Sequence, residues 1–282
     1  MTQPRILMVL VMWLAAIGWF FSKMGVIHFD AFTFMAWRFG LGALIILVVL
    51  RPNQILKADV IAGMWLGLVF FSAMVAWILA VKQSTFGDIG LGGFIITLGV
   101  IISPYFGRLL YGEPLMQHYH WPALLAVVGS FLMAPGFETP SLGLFAIAAV
   151  LLGLYMTQMT RVSRNHNPWV MTLACFAVVT GGMAALSLMF ENPSLSGFEN
   201  GWMWLALSAV IATAFRFVLQ AKVQGELSQS EASLIMNLEG VAVALIATAI
   251  TGSLYQPLQL LGAALIVASL MTRLRLKRRA TP

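Results

Sequence analysis

Three charged residues stand where long apolar runs should exclude them. Arg38 lies in AFTFMAWRFGLGALIILVVL, Arg216 in GWMWLALSAVIATAFRFVLQA and Glu239 in ASLIMNLEGVAVALIATAIT. If those runs cross a bilayer, each charge costs about 2.5–3.5 kcal/mol on insertion scales, so it normally faces a cavity or a partner. Glu239, near the middle of its run and flanked by Asn237 and Gly240, can bind a cationic group or exchange a proton; its plainer role is a packing acid in a structural ion pair. Arg38, about a third of the way into its run, can clamp a carboxylate, pair with Glu239 or serve structure alone. Arg216 sits nearer the end of its run, where a long stem can snorkel to the interface or line a vestibule.

Enzyme chemistry has little to work with. His28, His118, His120 and His166 fall in loops or at helix ends, and His118-x-His120 lacks the third ligand or nearby thiol of a metal site. No P-loop and no Ser/His/Asp order is present, which argues against an ATP-driven pump and against a hydrolase. No cofactor is expected, and Glu239 leaves proton coupling open as one of its two functional readings.

The elements that must position these charges follow from composition. Of 282 residues, 60% are hydrophobic and 9% charged, against about 25% charged in soluble domains. The mean hydropathy is +0.91. The net charge of +6 does not point to nucleic acid, because five of the sixteen basic residues form the run Arg273, Arg275, Lys277, Arg278 and Arg279 just after an apolar stretch. A basic tail at a membrane face accounts for it. The first apolar segment has the length of a span and no small-residue cleavage site, so it reads as a helix and not as a removable signal. Cys175, the lone cysteine, reads as a small core residue.

A span needs about 20 mostly apolar residues. Ten runs qualify: Ile6–Val26, Ala31–Leu50, Val60–Val81, Ile89–Tyr111, Trp121–Gly136, Leu142–Arg161, Pro168–Phe190, Gly201–Ala221, Ala232–Thr251 and Pro257–Met271, the fifth and tenth being short. Breaks such as Arg51-Pro52-Asn53, Gly112-Glu113-Pro114, Glu138-Thr139-Pro140 and Glu191-Asn192-Pro193 separate them. Placing the N-terminus inside puts twelve basic residues on the cytoplasmic side and two, Lys23 and Lys82, outside. That bias orients both termini to the cytoplasm. The expected fold is an all-α integral membrane protein of ten transmembrane helices.

An internal repeat divides the chain into residues 1–137 and 138–282. Gly112, Pro122 and Gly129 are matched in order by Gly252, Gly262 and Ser269; the run at Gly18 resembles that at Gly153, and Met64-Trp65-Leu66 that at Met203-Trp204-Leu205. Five helices per half is odd, so the second half enters the membrane from the opposite side. Inverted repeats place a transport site near the midplane between halves. The intramembrane charges break the repeat: Arg38 falls opposite Cys175, and Glu239 opposite Gly99.

These halves resemble the paired EamA domains of the drug/metabolite transporter superfamily. The resemblance rests on Gly18-Trp19, Trp37-Arg38-Phe39, Gly93-Phe94-Ile95 through Pro104 to Gly112-Glu113-Pro114, Asn237-Leu238-Glu239 and Gly262-Ala263-Ala264-Leu265. The chain departs from the pattern at Gly240, where a proline is usual, and at Gly252-Ser253, which lacks the acid of Gly112-Glu113. An arginine like Arg38 is common in relatives whatever they carry, which favours a structural role for it. The resemblance implies a carrier of the bacterial inner membrane working by alternating access, read first as an exporter of an amino acid or related small metabolite. A multidrug or organic-cation exporter and a vitamin or metabolite importer share the fold. A membrane enzyme or scaffold is the reading from another class.

The resemblance also implies a central cavity drawn from the first, third and fourth helices of each half, with Trp19, Trp77, Phe94, Thr97, Tyr155 and Asn237 as lining residues. For each of them, packing is the plainer role. Gly63 and Gly67 form a GxxxG pair suited to close helix approach. Gly99 and Pro104, with Gly240, mark a hinge, and Pro104 should free a carbonyl near residue 100 for a cavity or water to satisfy. The expected partners are a small-molecule substrate and the lipid bilayer; nothing in the sequence sets an oligomeric state.

Overall fold

The computed structural model describes residues 3–50, 55–115, 118–133, 141–193, 197–252 and 256–279. The breaks at Arg51-Pro52-Asn53 and Glu138-Thr139-Pro140, Ser253, and the side chains of the C-terminal basic run lie outside the described residues. Within them the chain is helical with no strand, and helices are one of the two ways a backbone in lipid can satisfy its own polar groups.

The helices are α1 Gln3–His28, α2 Ala31–Leu50, α3 Lys57–Gln83, α4 Phe86–Tyr111, α5 His120–Met133, α6 Ser141–Val162, α7 Pro168–Phe190, α8 Gly197–Glu226, α9 Gln229–Thr251 and α10 Pro257–Arg279. Eight are long and apolar enough to cross a membrane; the apolar parts of α5 and α10, His120–Leu132 and Pro257–Ser269, are shorter. Two helices are irregular. α8 passes through a π-turn at Val210–Phe215, and α9 is interrupted at Asn237, between Gln229–Met236 and Leu238–Thr251.

Local chemistry sets the ends. Thr85 and Asp88 form a capping box on α4, as Ser228 and Glu231 do on α9, each satisfying two orphan backbone donors. Asn167 caps α7 ahead of Pro168. α4 ends on Gly112 at φ 65°, a left-handed position that glycine occupies without strain.

Charge is sorted to two faces. Arg5 pairs with Glu231 (2.7 Å) and His166 with Asp59 (2.8 Å), joining the starts of α1 and α9 and of α3 and α7, while Arg164 pairs with Glu113 (3.6 Å) across the ends of α4 and α6. On the other face Lys82 meets Asp30 (3.2 Å), and Glu191, just past α7, accepts from the backbone N–H groups of Phe32 and Thr33 at the start of α2. Trp121 and Trp202, near helix ends, are exposed, in keeping with an interfacial belt.

Packing follows the small residues. α1 packs on α8 and α9, α2 on α7 and α8, α3 on α6 and α7, α4 on α6 and α9, and α5 on α10. Gly63 and Gly67 sit against the α7 backbone at Met171 and Cys175. Gly99 meets Ala149, and Gly153 meets the Gly99 carbonyl, so α4 and α6 cross with their backbones in contact. Pro104 leaves the Val100 carbonyl without its helical donor. The Ser103 hydroxyl fills that place at 2.8 Å, so a side chain meets the need expected of a cavity or water. Ser103 also bonds Ser233 (2.8 Å), and its carbonyl accepts from Thr157 (2.7 Å), tying the 99–104 segment to α9 and α6.

A Cβ at Gly99 would fall inside the Ala149 carbonyl, whereas one at Gly181 meets nothing within 4 Å. Gly99→Ala is expected to destabilise by about 1–3 kcal/mol through overpacking, seen as a lower thermal unfolding midpoint in detergent, while Gly181→Ala leaves the midpoint unchanged. Equal midpoints would contradict the close α4–α6 crossing.

Candidate functional site

Arg38, Arg216 and Glu239 come from α2, α8 and α9 and open on one cavity of about 80 Å³. That is room for several waters, since one needs about 10–15 Å³. Residues of α1, α3, α4 and α6 complete its wall, so both halves of the chain contribute.

Arg38 is 5% exposed. Its Nε donates to Thr213 Oγ1 and its Nη1 to Ser22 Oγ, each at 2.6 Å. Ser22 in turn donates to the Gly18 carbonyl at 2.6 Å. The guanidinium lies 5.5 Å from the Phe39 ring centre and 6.0 Å from that of Trp77. Thr213 stands in the π-turn of α8, one of the irregularities that recur at functional sites. Arg38 makes no ion pair with Glu239, so the pairing entertained from sequence is replaced by hydroxyl partners.

Glu239 instead accepts from the Trp19 indole, Nε1 to Oε1, at 2.9 Å. Trp19 is held edge-on against Trp77 at 5.2 Å and lies 5.8 Å from Phe145. Arg216 does not snorkel; it faces the cavity, its guanidinium 4.2 Å from the centre of the Phe217 ring. Its Nε has no hydrogen-bond partner, and it forms no ion pair among the described residues. Tyr155 stacks on Phe70 at 4.5 Å, and both line the cavity.

Of the aromatic and polar residues singled out by sequence, Trp19, Trp77 and Tyr155 line the cavity; Phe94, Thr97 and Asn237 do not. Phe94 and Thr97 are buried behind it, with Thr97 Oγ1 bonded to the Phe94 carbonyl at 2.7 Å. Both press on Gly240, where a Cβ would lie 3.0 Å from Phe94 and 3.2 Å from Thr97. They therefore set the seat of α9 next to Glu239. Asn237 is wholly enclosed at the break in α9, and neither of its amide atoms has a protein partner.

Sequence reasoning passed over two polar groups, the first of which adjoins the cavity. Gln220, which lines it, donates to Gln224 (3.1 Å); Gln224 donates to Thr160 (2.8 Å) and the Met156 carbonyl (3.1 Å). Gln229 donates to Thr157 (3.1 Å), which leads to Ser103 and Ser233. The i,i+4 spacing of Gln220 and Gln224 on a helix was the available signal. Among the described residues no three His, Cys, Asp or Glu side chains are grouped to hold a metal.

Comparison with known proteins agrees in kind. Residues 139–274 match the EamA-like transporter family. An uncharacterized transporter of Archaeoglobus fulgidus is 26% identical over 197 residues, an alignment that takes in 66% of this chain and 63% of that protein. One crystal structure superposes over 100% of this chain and 98% of its own with a TM-score of 0.73 at 18% identity, a likeness of fold.

Thr213 and Ser22 carry the visible load on Arg38. Thr213→Val removes an acceptor from a charged donor, worth about 1.5–3 kcal/mol, and is expected to lower the unfolding midpoint, with Thr213→Ser close to the parent. Thr213→Val matching the parent would show that the bond is not needed.

Proposed function

We propose that this chain, whose residues 139–274 match the EamA-like transporter family, is a secondary carrier of the drug/metabolite transporter superfamily that moves a small metabolite through the cavity by alternating access. The observation that carries this reading is the meeting of three intramembrane charges, from three helices, in one cavity bounded by both halves. A buried charge without a cavity or partner is costly, and structure alone does not call for three to be gathered at one place.

An inverted repeat of residues 1–137 and 138–282 fits the packing. Exchanging the halves turns the α1–α8 contact into α6–α3, α2–α8 into α7–α3, and α1–α9 into α6–α4, while α2–α7, α4–α9 and α5–α10 map onto themselves; every one of these contacts occurs. The difference between equivalent contacts is what leaves space. Where α4 and α6 touch through Gly99 and Gly153, α1 and α9 meet through Trp19 and Glu239. In this reading alternating access reopens the polar groups at Gln220 and Gln224 and at Gln229 and Thr157, with Gly99, Pro104 and Gly240 as bending points. Export of an amino acid or similar solute, a bacterial inner-membrane location and proton exchange at Glu239 belong to the same proposal, as do cytoplasmic termini, which the twelve-to-two basic bias supports.

Purified protein in liposomes is expected to give saturable flux of one solute class in a screen run with and without a pH gradient. Glu239→Gln and Arg38→Ala should each reduce that flux at least tenfold. Flux untouched by either change removes those residues from the mechanism; absence of flux for every solute class sinks the transport reading.

A further inference from the structure

Resting on that transport reading, we infer that the cavity takes a solute of net charge −1, its carboxylate held by Arg38 and Arg216. Two guanidinium groups face one carboxylate in this cavity. The other described acids, Asp30, Asp59, Asp88, Glu113, Glu191, Glu199, Glu226 and Glu231, lie at or near helix ends, and four of them pair with cations there. Neither cavity arginine has a carboxylate within ion-pair distance among the described residues; Glu239 acts on Arg216 at longer range and balances one of the two positive charges, which leaves one in excess. The bonds of Arg38 go to the hydroxyls of Thr213 and Ser22. Arg216 lies over a ring with its Nε unpartnered. Glu239 is engaged by the neutral indole of Trp19.

An unpaired charge in a low-dielectric interior is strongly disfavoured. A bound solute of charge −1 brings the cavity to neutrality, a zwitterion leaves one positive charge in excess, and a cation raises the excess to two. The balance holds with Glu239 ionised; protonating it raises the excess to two and leaves one positive charge over a bound monoanion. Guanidinium forks suit a planar carboxylate, and Arg38 is bonded to Thr213, three residues before Arg216 on α8, so both forks border one wall. Phe70 and Trp77 offer an apolar surface for the remainder of the solute. Glu239 can receive an ammonium, so an amino dicarboxylate meets the same balance as a simple monocarboxylate. The same balance opposes an organic-cation cargo.

The test is equilibrium dialysis with the full chain in nanodiscs, using 3-phenylpropionate, phenylalanine and phenethylamine as one series and glutamate, glutamine and lysine as another. In at least one series the member of charge −1 is expected to bind at least tenfold more tightly than its neutral and cationic companions. Arg216→Gln should erase that preference and Arg216→Lys retain it, with size-exclusion profiles confirming that both variants fold. The inference is overturned if in neither series the anion reaches that tenfold preference, if no member of either series binds, or if the preference survives Arg216→Gln. Liposome flux of some other solute class alongside any of these results leaves the carrier reading standing and removes only the charge rule.

Discussion

Most of this molecule is arranged by a single requirement: a charge carried into hydrocarbon must be answered by a partner or by water. Arg38 is answered by two hydroxyls from two other helices. The α8 helix carries one of those hydroxyls in a π-turn, and α1 turns the other toward its own backbone at Gly18. Glu239 is answered by an indole from α1. Arg216 lies over the face of Phe217 and is answered at longer range by Glu239 and Tyr155 across the cavity. Around these groups the remaining helices are free to pack on glycine and small residues, because the polar demands have been gathered into one cavity and two sets of amides and hydroxyls.

Much of the fold was legible because hydrocarbon imposes a length. The limits read for Ala31–Leu50 and Pro168–Phe190 coincide with α2 and α7, and the runs expected to be short are the two shorter apolar helices. Charge inside an apolar run was equally plain, and all three such residues reach the cavity. What a one-dimensional reading could not supply was rotation about each helix axis. Phe94 and Thr97 are at the right depth on α4 but lie behind the cavity, supporting Gly240. The partner of Glu239 could not be foreseen either, since an arginine and a tryptophan both stand at suitable depth. Gln220, Gln224 and Gln229 were passed over because uncharged amides disturb an apolar run far less than a charge does.

The irregular backbone of α4 has an intelligible cause. Pro104 costs α4 a hydrogen bond, and Ser103, next to it, supplies the replacement donor. α9 loses its regular pattern at Asn237, although that residue keeps right-handed helical dihedrals and its N–H still bonds the Ser233 carbonyl at 2.9 Å. The enclosed amide of Asn237, lacking a protein partner, stands two residues from the acid whose environment governs the cavity.

The central claim is that the cavity around Arg38, Arg216 and Glu239 is reached by water from each side of the membrane in turn. Its most direct test is a single cysteine at a lining position, Met74→Cys in a Cys175→Ala background, exposed to a membrane-impermeant maleimide applied to one side of sealed vesicles and then to the other. The account predicts reaction from both sides. Reaction from one side alone, or from neither, would contradict it.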